Sequence, residues 1–86
     1  MMDKIYSKII VDRILQLCRT REISINKLAE MSGVSQSTLD NLINGKTFNP
    51  KIMTLHKIAI AFNMTPAELL NYQKMNDYSF EDQLDD

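Results

Sequence analysis

The sequence predicts an all-α fold with a single core, and three observations carry that prediction. Apolar residues recur at three- and four-residue spacing through most of the chain, while no run alternates apolar and polar residues long enough to make a convincing strand. Two Gly and two Pro are too few for a strand-and-turn architecture. A length of 86 residues allows one core and not two.

The first helix is expected from about Lys4 or Ser7 to Thr20, with Tyr6, Ile10, Ile14 and Leu17 forming a core stripe at helical spacing. Val11, Leu15 and Cys18 widen that apolar face, which either packs within the chain or receives a partner. Arg19 and Arg21 read as solvated charges near the helix end. Ser24 is an N-cap, and the helix it opens turns Leu28 and Ala29 inward, Ala29 being small enough for another helix to cross closely. Ser32 is expected to be a partly buried hydroxyl bonding a carbonyl one turn back. Gly33 then supplies the left-handed conformation that ends a helix without a Cβ clash, and Val34 plugs the corner. Ser35 caps the next helix, placed at Ser35 to Asn44, which buries Leu39 and Leu42 and leaves Gln36, Ser37, Asp40 and Asn41 facing out. Two short helices hinged on one Gly read as a helix-turn-helix.

Asn44-Gly45-Lys46-Thr47 ends that helix and begins a loop up to Pro50, with Phe48 expected to fold back onto the core. The fourth helix presents Ile52, Leu55, Ile58, Ala59 and Phe62 inward and stops at Asn63, a residue tolerant of a left-handed C-cap. Thr65-Pro66-Ala67-Glu68 is a capping box with Pro at the first helical position, so a fifth helix is expected from Pro66 to about Gln73, burying Leu69 and Leu70. A domain over 1–75 and an acidic tail over 76–86 follow. Tyr72, Met75, Tyr78, Phe80 and Leu84 keep the chain's end from being purely solvating, and docking, a dimer interface and disorder all remain open for it.

The stretch GVSQSTLDNLINGKTFNPKIMTLHKIAIAFNMTPAELL resembles the lambda-repressor-like, Cro-type helix-turn-helix family of bacterial and phage regulators, also called the xenobiotic-response-element family. The likeness runs from roughly Ile10 to Leu70. It rests on the Leu28-Ala29 pair, Gly33, the Ser35-Gln36-Ser37-Thr38 helix start, the Asn44-Gly45-Lys46 exit and the Thr65-Pro66 to Glu68-Leu69-Leu70 end, in that order. What the resemblance implies is a compact five-helix domain whose helix-turn-helix is formed by the second and third helices, and DNA as the ligand. Two departures stand out. The family commonly has a phosphate-binding Gln after the cap of the second helix, where this chain has Ile25. Members also often pair an Arg near the end of the first helix with a Glu just before the Asn-Gly of the third, where this chain has Cys18 and Ile43. A partly buried ion pair can be exchanged for two apolar groups of suitable size without loss of stability, so Cys18 and Ile43 are expected to touch, with Cys18 a buried, unreactive thiol.

The formal net charge is -1, which suits a polyanion poorly, but the charge is unevenly placed. From Arg19 to Lys57 six Lys and Arg face three acids, whereas the stretch from Asn76 on carries five acids and no base. Within the basic stretch Gln36, Ser37 and Asn41 are the candidate base contacts, since Gln and Asn can bond adenine N6 and N7 together. The candidate phosphate contacts are Ser24, Asn26, Lys27, Ser35, Thr38, Lys46, Thr47, Asn49 and Lys51, the later ones forming a ledge with exposed backbone N–H groups. The reading is a sequence-specific transcriptional regulator, a repressor, binding a two-fold double-stranded DNA operator as a cytoplasmic homodimer. An antitoxin or restriction-system controller with the same DNA-binding mode, or an interaction module that has lost DNA binding, are the alternatives.

Other classes find little support. A single Cys18 forms no internal disulfide, and His56, the sole histidine, has no second ligand near it, so no metal is assigned. No nucleophile-base pair, carboxylate dyad or Gly-rich phosphate loop points to an enzyme, and no cofactor or small-molecule ligand is inferable. Asp12 and Arg13 interrupt the apolar stretch of the first helix, which therefore does not read as a signal or membrane segment.

Overall fold

The computed structural model describes residues 2–80, and among these there are six helices and no strands: α1 (Met2–Arg21), α2 (Ile25–Ser32), α3 (Gln36–Ile43), α4 (Ile52–Ala61), α5 (Pro66–Leu70) and α6 (Gln73–Asp77). The first is a single 20-residue helix against which α3 and α6 pack, while α4 packs on α2 and α5. Their meeting point is fully buried: Ile14 from α1, Leu28 from α2, Leu39 and Leu42 from α3, Ile58 from α4, Phe62 just after it, and Leu69 from α5. Val11 and Cys18 join this core, and Leu15 packs against it half-buried, so the wide apolar face of α1 is largely used within the chain.

Each helix ends for a local reason. At α1 the chain closes with Ile23 N–H on the Cys18 carbonyl (3.0 Å) and Glu22 N–H on that of Arg19 (3.2 Å), a paired arrangement that needs a left-handed residue, here Glu22 at φ 55°. Asn63 does the same after α4 at φ 60°, with Met64 N–H on the Ala59 carbonyl (2.8 Å). Both positions would suit Gly better, because a Cβ in this region costs roughly 1 to 2 kcal/mol. At Thr65 both halves of the capping box are formed, Glu68 N–H to Thr65 Oγ1 (3.1 Å) and Thr65 N–H to Glu68 Oε1 (2.8 Å).

Four expectations need correction. The expected fifth helix is two, α5 and α6, and the reason is Arg13. Its Nε donates to the Leu69 carbonyl (3.0 Å) and its Nη2 to that of Glu68 (3.1 Å). Those are the acceptors that the N–H groups of Gln73 and Tyr72 would use in a continuing helix. The backbone instead turns extended at Tyr72, whose ring lies under the guanidinium (5.1 Å) and whose hydroxyl donates to the Ile9 carbonyl (2.6 Å). Beyond α6, Tyr78 sits edge-on to Tyr6 (5.1 Å) and to Phe80 (4.8 Å), which docks the described start of the acidic stretch on α1. Glu81, Asp82, Leu84, Asp85 and Asp86 lie outside the described residues.

Ile52, placed in the core by its spacing, is 80% exposed. It is the first residue of α4, and helical side chains lean toward the N-terminus, so it projects past the end of the packed face. Phe48 is 37% exposed rather than folded into the core, and the buried residue of that loop is Pro50. Arg21 is not simply solvated: its guanidinium donates to the Phe62 carbonyl and lies over the Phe62 ring (5.6 Å), tying the end of α1 to the end of α4.

Candidate nucleic-acid interface

The hinge between α2 and α3 is set by three residues. Gly33 takes φ 76°, its N–H returning to the Ala29 carbonyl (3.0 Å), and Val34 is buried behind it. Ser32 bonds one turn back to the Ala29 carbonyl (3.4 Å) as well as receiving the Val34 N–H (3.2 Å), the role its sequence position suggests. Ser24 caps α2 by accepting from Lys27 N–H (3.0 Å), and Ser35 caps α3 by accepting from Thr38 N–H (3.2 Å). Ser35 Oγ also donates to Thr38 Oγ1 (2.8 Å). With Leu39 and Leu42 pinned in the core, the eight residues of α3 can turn only one face outward, and Gln36, Ser37, Asp40 and Asn41 are all exposed on it.

The loop after α3 returns to the helix that precedes it. Lys46 N–H (2.8 Å) and Thr47 N–H (3.1 Å) both bond the Asn41 carbonyl, and Gly45, at φ 79°, places its N–H on that of Leu42 (3.2 Å). The N–H groups of Lys46 and Thr47 are thus spent on closing the helix and do not belong to the exposed amides expected along the ledge. A surface groove of about 310 Å³ runs between α3 and the start of α4, lined by Thr38, Leu42, Thr47, Asn49, Pro50, Lys51 and Thr54. Four of the expected phosphate contacts, Thr38, Thr47, Asn49 and Lys51, are thus brought to one place. Thr54 was missed, although its position one turn after Lys51 on the same helix side was a usable signal. Lys46 is exposed outside this groove, and Ser24, Asn26 and Lys27 lie apart from it, exposed at the start of α2. Lys27 reaches Glu30 at 3.7 Å, an exposed pair worth roughly 0 to 1 kcal/mol and readily given up. Ile25, in place of the family's Gln, is half-buried and packs on the core, where it serves the fold.

The departures at Cys18 and Ile43 meet one apolar cluster: Cys18 is 5% exposed inside it and Ile43 packs against it. Burial pushes the Cys18 thiol above its ordinary pKa, which suppresses the reactive thiolate. His56 is exposed, and among the described residues no group of three His, Cys, Asp or Glu gathers as a metal site would. No described helix is long and apolar enough to cross a membrane.

A helix-turn-helix whose second helix presents amides and hydroxyls beside a groove edged by Thr38, Thr47, Asn49 and Lys51 is the arrangement of a DNA-binding domain. The model of the Cro/C1-type HTH DNA-binding domain matches residues 13–75, and the chain belongs to that family. It is 36% identical over 66 residues to the HTH-type transcriptional regulator SlrR of Bacillus subtilis, covering 76% of this chain and 43% of SlrR. It is 34% identical over 55 residues to the uncharacterized HTH-type transcriptional regulator RghRB of the same organism, covering 64% of this chain and 40% of that protein. The chain therefore spans about two fifths of these two relatives. It also covers 71% of the uncharacterized HTH-type transcriptional regulator YozG of Bacillus subtilis, at 32% identity over 60 residues and 70% of this chain. An HTH_3 family transcriptional regulator from Vibrio cholerae superposes on 95% of this chain with a TM-score of 0.73, at 26% identity and over 47% of its own length.

Proposed function

We propose that the chain is a sequence-specific transcriptional regulator, acting as a repressor, that lays α3 in the major groove of double-stranded DNA. The observation that carries this reading is the single outward face of α3, held by two buried leucines and a capped start, with the Thr38–Lys51 groove directly beside it. Gln36, Ser37 and Asn41 would read base edges, each good bidentate contact contributing about 1 to 3 kcal/mol of discrimination. Ser35, Thr38, Lys46, Thr47, Asn49 and Lys51, together with Ser24, Asn26 and Lys27 at the start of α2, would hold phosphates and fix the register. Membership of a family whose relatives are HTH-type regulators is what recommends transcription as the process served.

One eight-residue helix specifies only a few base pairs, so a useful site calls for two copies on a two-fold operator. The exposed Ile52 and Met53 at the start of α4 and Ile60 near its end, with exposed His56 and Lys57 between them, are side chains that a subunit contact can bury. A cytoplasmic location fits such a ligand.

Selection of bound sites from a random duplex pool, followed by salt titration, tests the reading. Gln36→Ala is expected to relax one half-site position by about 1 to 3 kcal/mol. Lys46→Ala is expected to weaken all sequences alike and flatten the salt slope by about one unit. Equal losses on selected and scrambled duplexes for Gln36→Ala would reject base reading by that residue.

A further inference from the structure

The middle of the proposed reading face carries a negative charge. Asp40 is exposed, and among the described residues no cation forms an ion pair with it. Its Oδ1 accepts a hydrogen bond from Gln36 Nε2 at 2.9 Å, one helical turn away on the same row of side chains. A carboxylate only accepts, so Asp40 decides which end of the Gln36 amide faces it: the NH2, and not the carbonyl. That leaves Gln36 with Oε1 and one N–H side by side, and Asp40 with Oδ2.

We propose, resting on the reading of α3 given above, that Asp40 is a specificity-determining residue. It positions the Gln36 amide, and with its own carboxylate it selects a neighbouring base that carries an exocyclic amine, cytosine first. The chemistry of the major-groove edge supports both halves. Adenine presents an acceptor beside a donor, and an amide held in one orientation meets that pair with its own donor and acceptor in matching order; a flipped amide reverses the order and loses both bonds. Cytosine N4 offers a donor to a carboxylate, whereas guanine N7 and O6 and thymine O4 offer only acceptors. An unpaired carboxylate pressed against those acceptors, or against phosphates in a misaligned complex, is repelled. Asp40 thus lowers affinity for wrong sequences more than for the right one, which is how specificity is gained when attractive contacts are few.

The test uses the full chain and the duplex that it selects from a random pool, together with every single-base variant of one half-site and a scrambled duplex. Wild type, Gln36→Ala, Asp40→Asn and Asp40→Ala are compared, with circular dichroism confirming that each is folded. Asp40→Asn is expected to bind the scrambled duplex more tightly, most at low salt, and to lose about fivefold or more of the base preference at two places. These are the position that Gln36→Ala relaxes and its neighbour, where the wild type selects an amine-bearing base. Asp40→Ala is expected to relax the same two positions, and Asp40→Asn combined with Gln36→Ala to relax the Gln36 position no further than Gln36→Ala alone. Tightening by one factor on every duplex with base preferences intact would overturn the proposal, since Asp40 would then act through charge alone. Unchanged binding would overturn it too. A wild-type chain that binds no duplex with salt dependence would overturn the DNA-binding reading itself, which separates that failure from this one.

Discussion

The helix-turn-helix and the seam where the C-terminal helices dock on α1 are built from different kinds of contact. In the first, almost every fixing interaction is between residues two to six apart: the caps at Ser24 and Ser35, the Gly33 turn, the Ser32 hydroxyl, the return of Lys46 and Thr47 to Asn41. In the second they span the chain. Arg13 reaches carbonyls 55 and 56 residues on, and Tyr72 reaches one 63 residues back. The first region is shaped by local chemistry and keeps a polar face free for a ligand. The second has its polar groups turned inward to fasten the end of the chain.

The contrast is tested most severely by Arg13→Ala, which removes two charge-assisted hydrogen bonds and a cation–π contact. A loss of about 2 to 3 kcal/mol in urea unfolding is expected, with DNA affinity of the remaining folded protein unchanged. A loss below about 0.5 kcal/mol would mean that the seam contributes little to holding the chain's end. Next comes Ile43→Glu, which puts a charge against the apolar core, in a groove where the one nearby cation among the described residues, Lys8, is already paired with Asp12. About 2 kcal/mol should be lost, less than for a fully buried charge because Ile43 is only half-buried. Local chemistry is probed by Gly33→Ala. A Cβ there meets nothing within 4 Å, so the cost is backbone strain alone, roughly 1 to 2 kcal/mol, read as a drop in melting temperature.

The smallest effect is the loss of one hydroxyl. Tyr72→Phe should cost about 1 kcal/mol at neutral pH. Burial, opposed by the Arg13 charge, pushes the Tyr72 phenol up to about 12 from an ordinary value of 10. Raised in the folded state, it stabilises the fold fully below pH 10, and that contribution is lost as pH rises through 10 to 12. The stability difference between wild type and Tyr72→Phe should therefore be constant below pH 10 and change only above it. A difference that already varies near pH 8 would assign the effect to another group.

How much of the molecule is legible in its residues follows from the same contrast. Caps, the turn Gly, the capping box at Thr65 and the left-handed Asn63 are one-residue signals whose partners lie within a turn, and each can be read from the local sequence alone. The break between α5 and α6 cannot, because its cause, Arg13, is far away in the chain and looks like any charged residue on a helix. Ile52 and Phe48 mislead for a related reason: spacing shows which side of a helix a residue is on, but not where the neighbouring helix stops. In the interface, residue types and the outward face are legible, and Thr47, Asn49 and Lys51 share one groove as residues of the expected ledge, whereas Lys46 stands outside it and Thr38 lines it from α3. The spending of the Lys46 and Thr47 amides on Asn41, and the bond from Gln36 to Asp40, are not legible.

The long reach of the seam has a consequence for the order of events in folding. Contacts that close a few residues form at little entropic cost, while joining residues 55 to 63 apart restrains a large loop, and each doubling of loop length adds about 0.6 kcal/mol. The seam is also imperfect: among the described residues the buried Tyr78 hydroxyl has no hydrogen-bond partner, and α6 has no buried residue. The amides of Gln73–Asp77 should therefore exchange with solvent deuterium well before those of α2 and α3, opening as a unit while the helix-turn-helix stays closed.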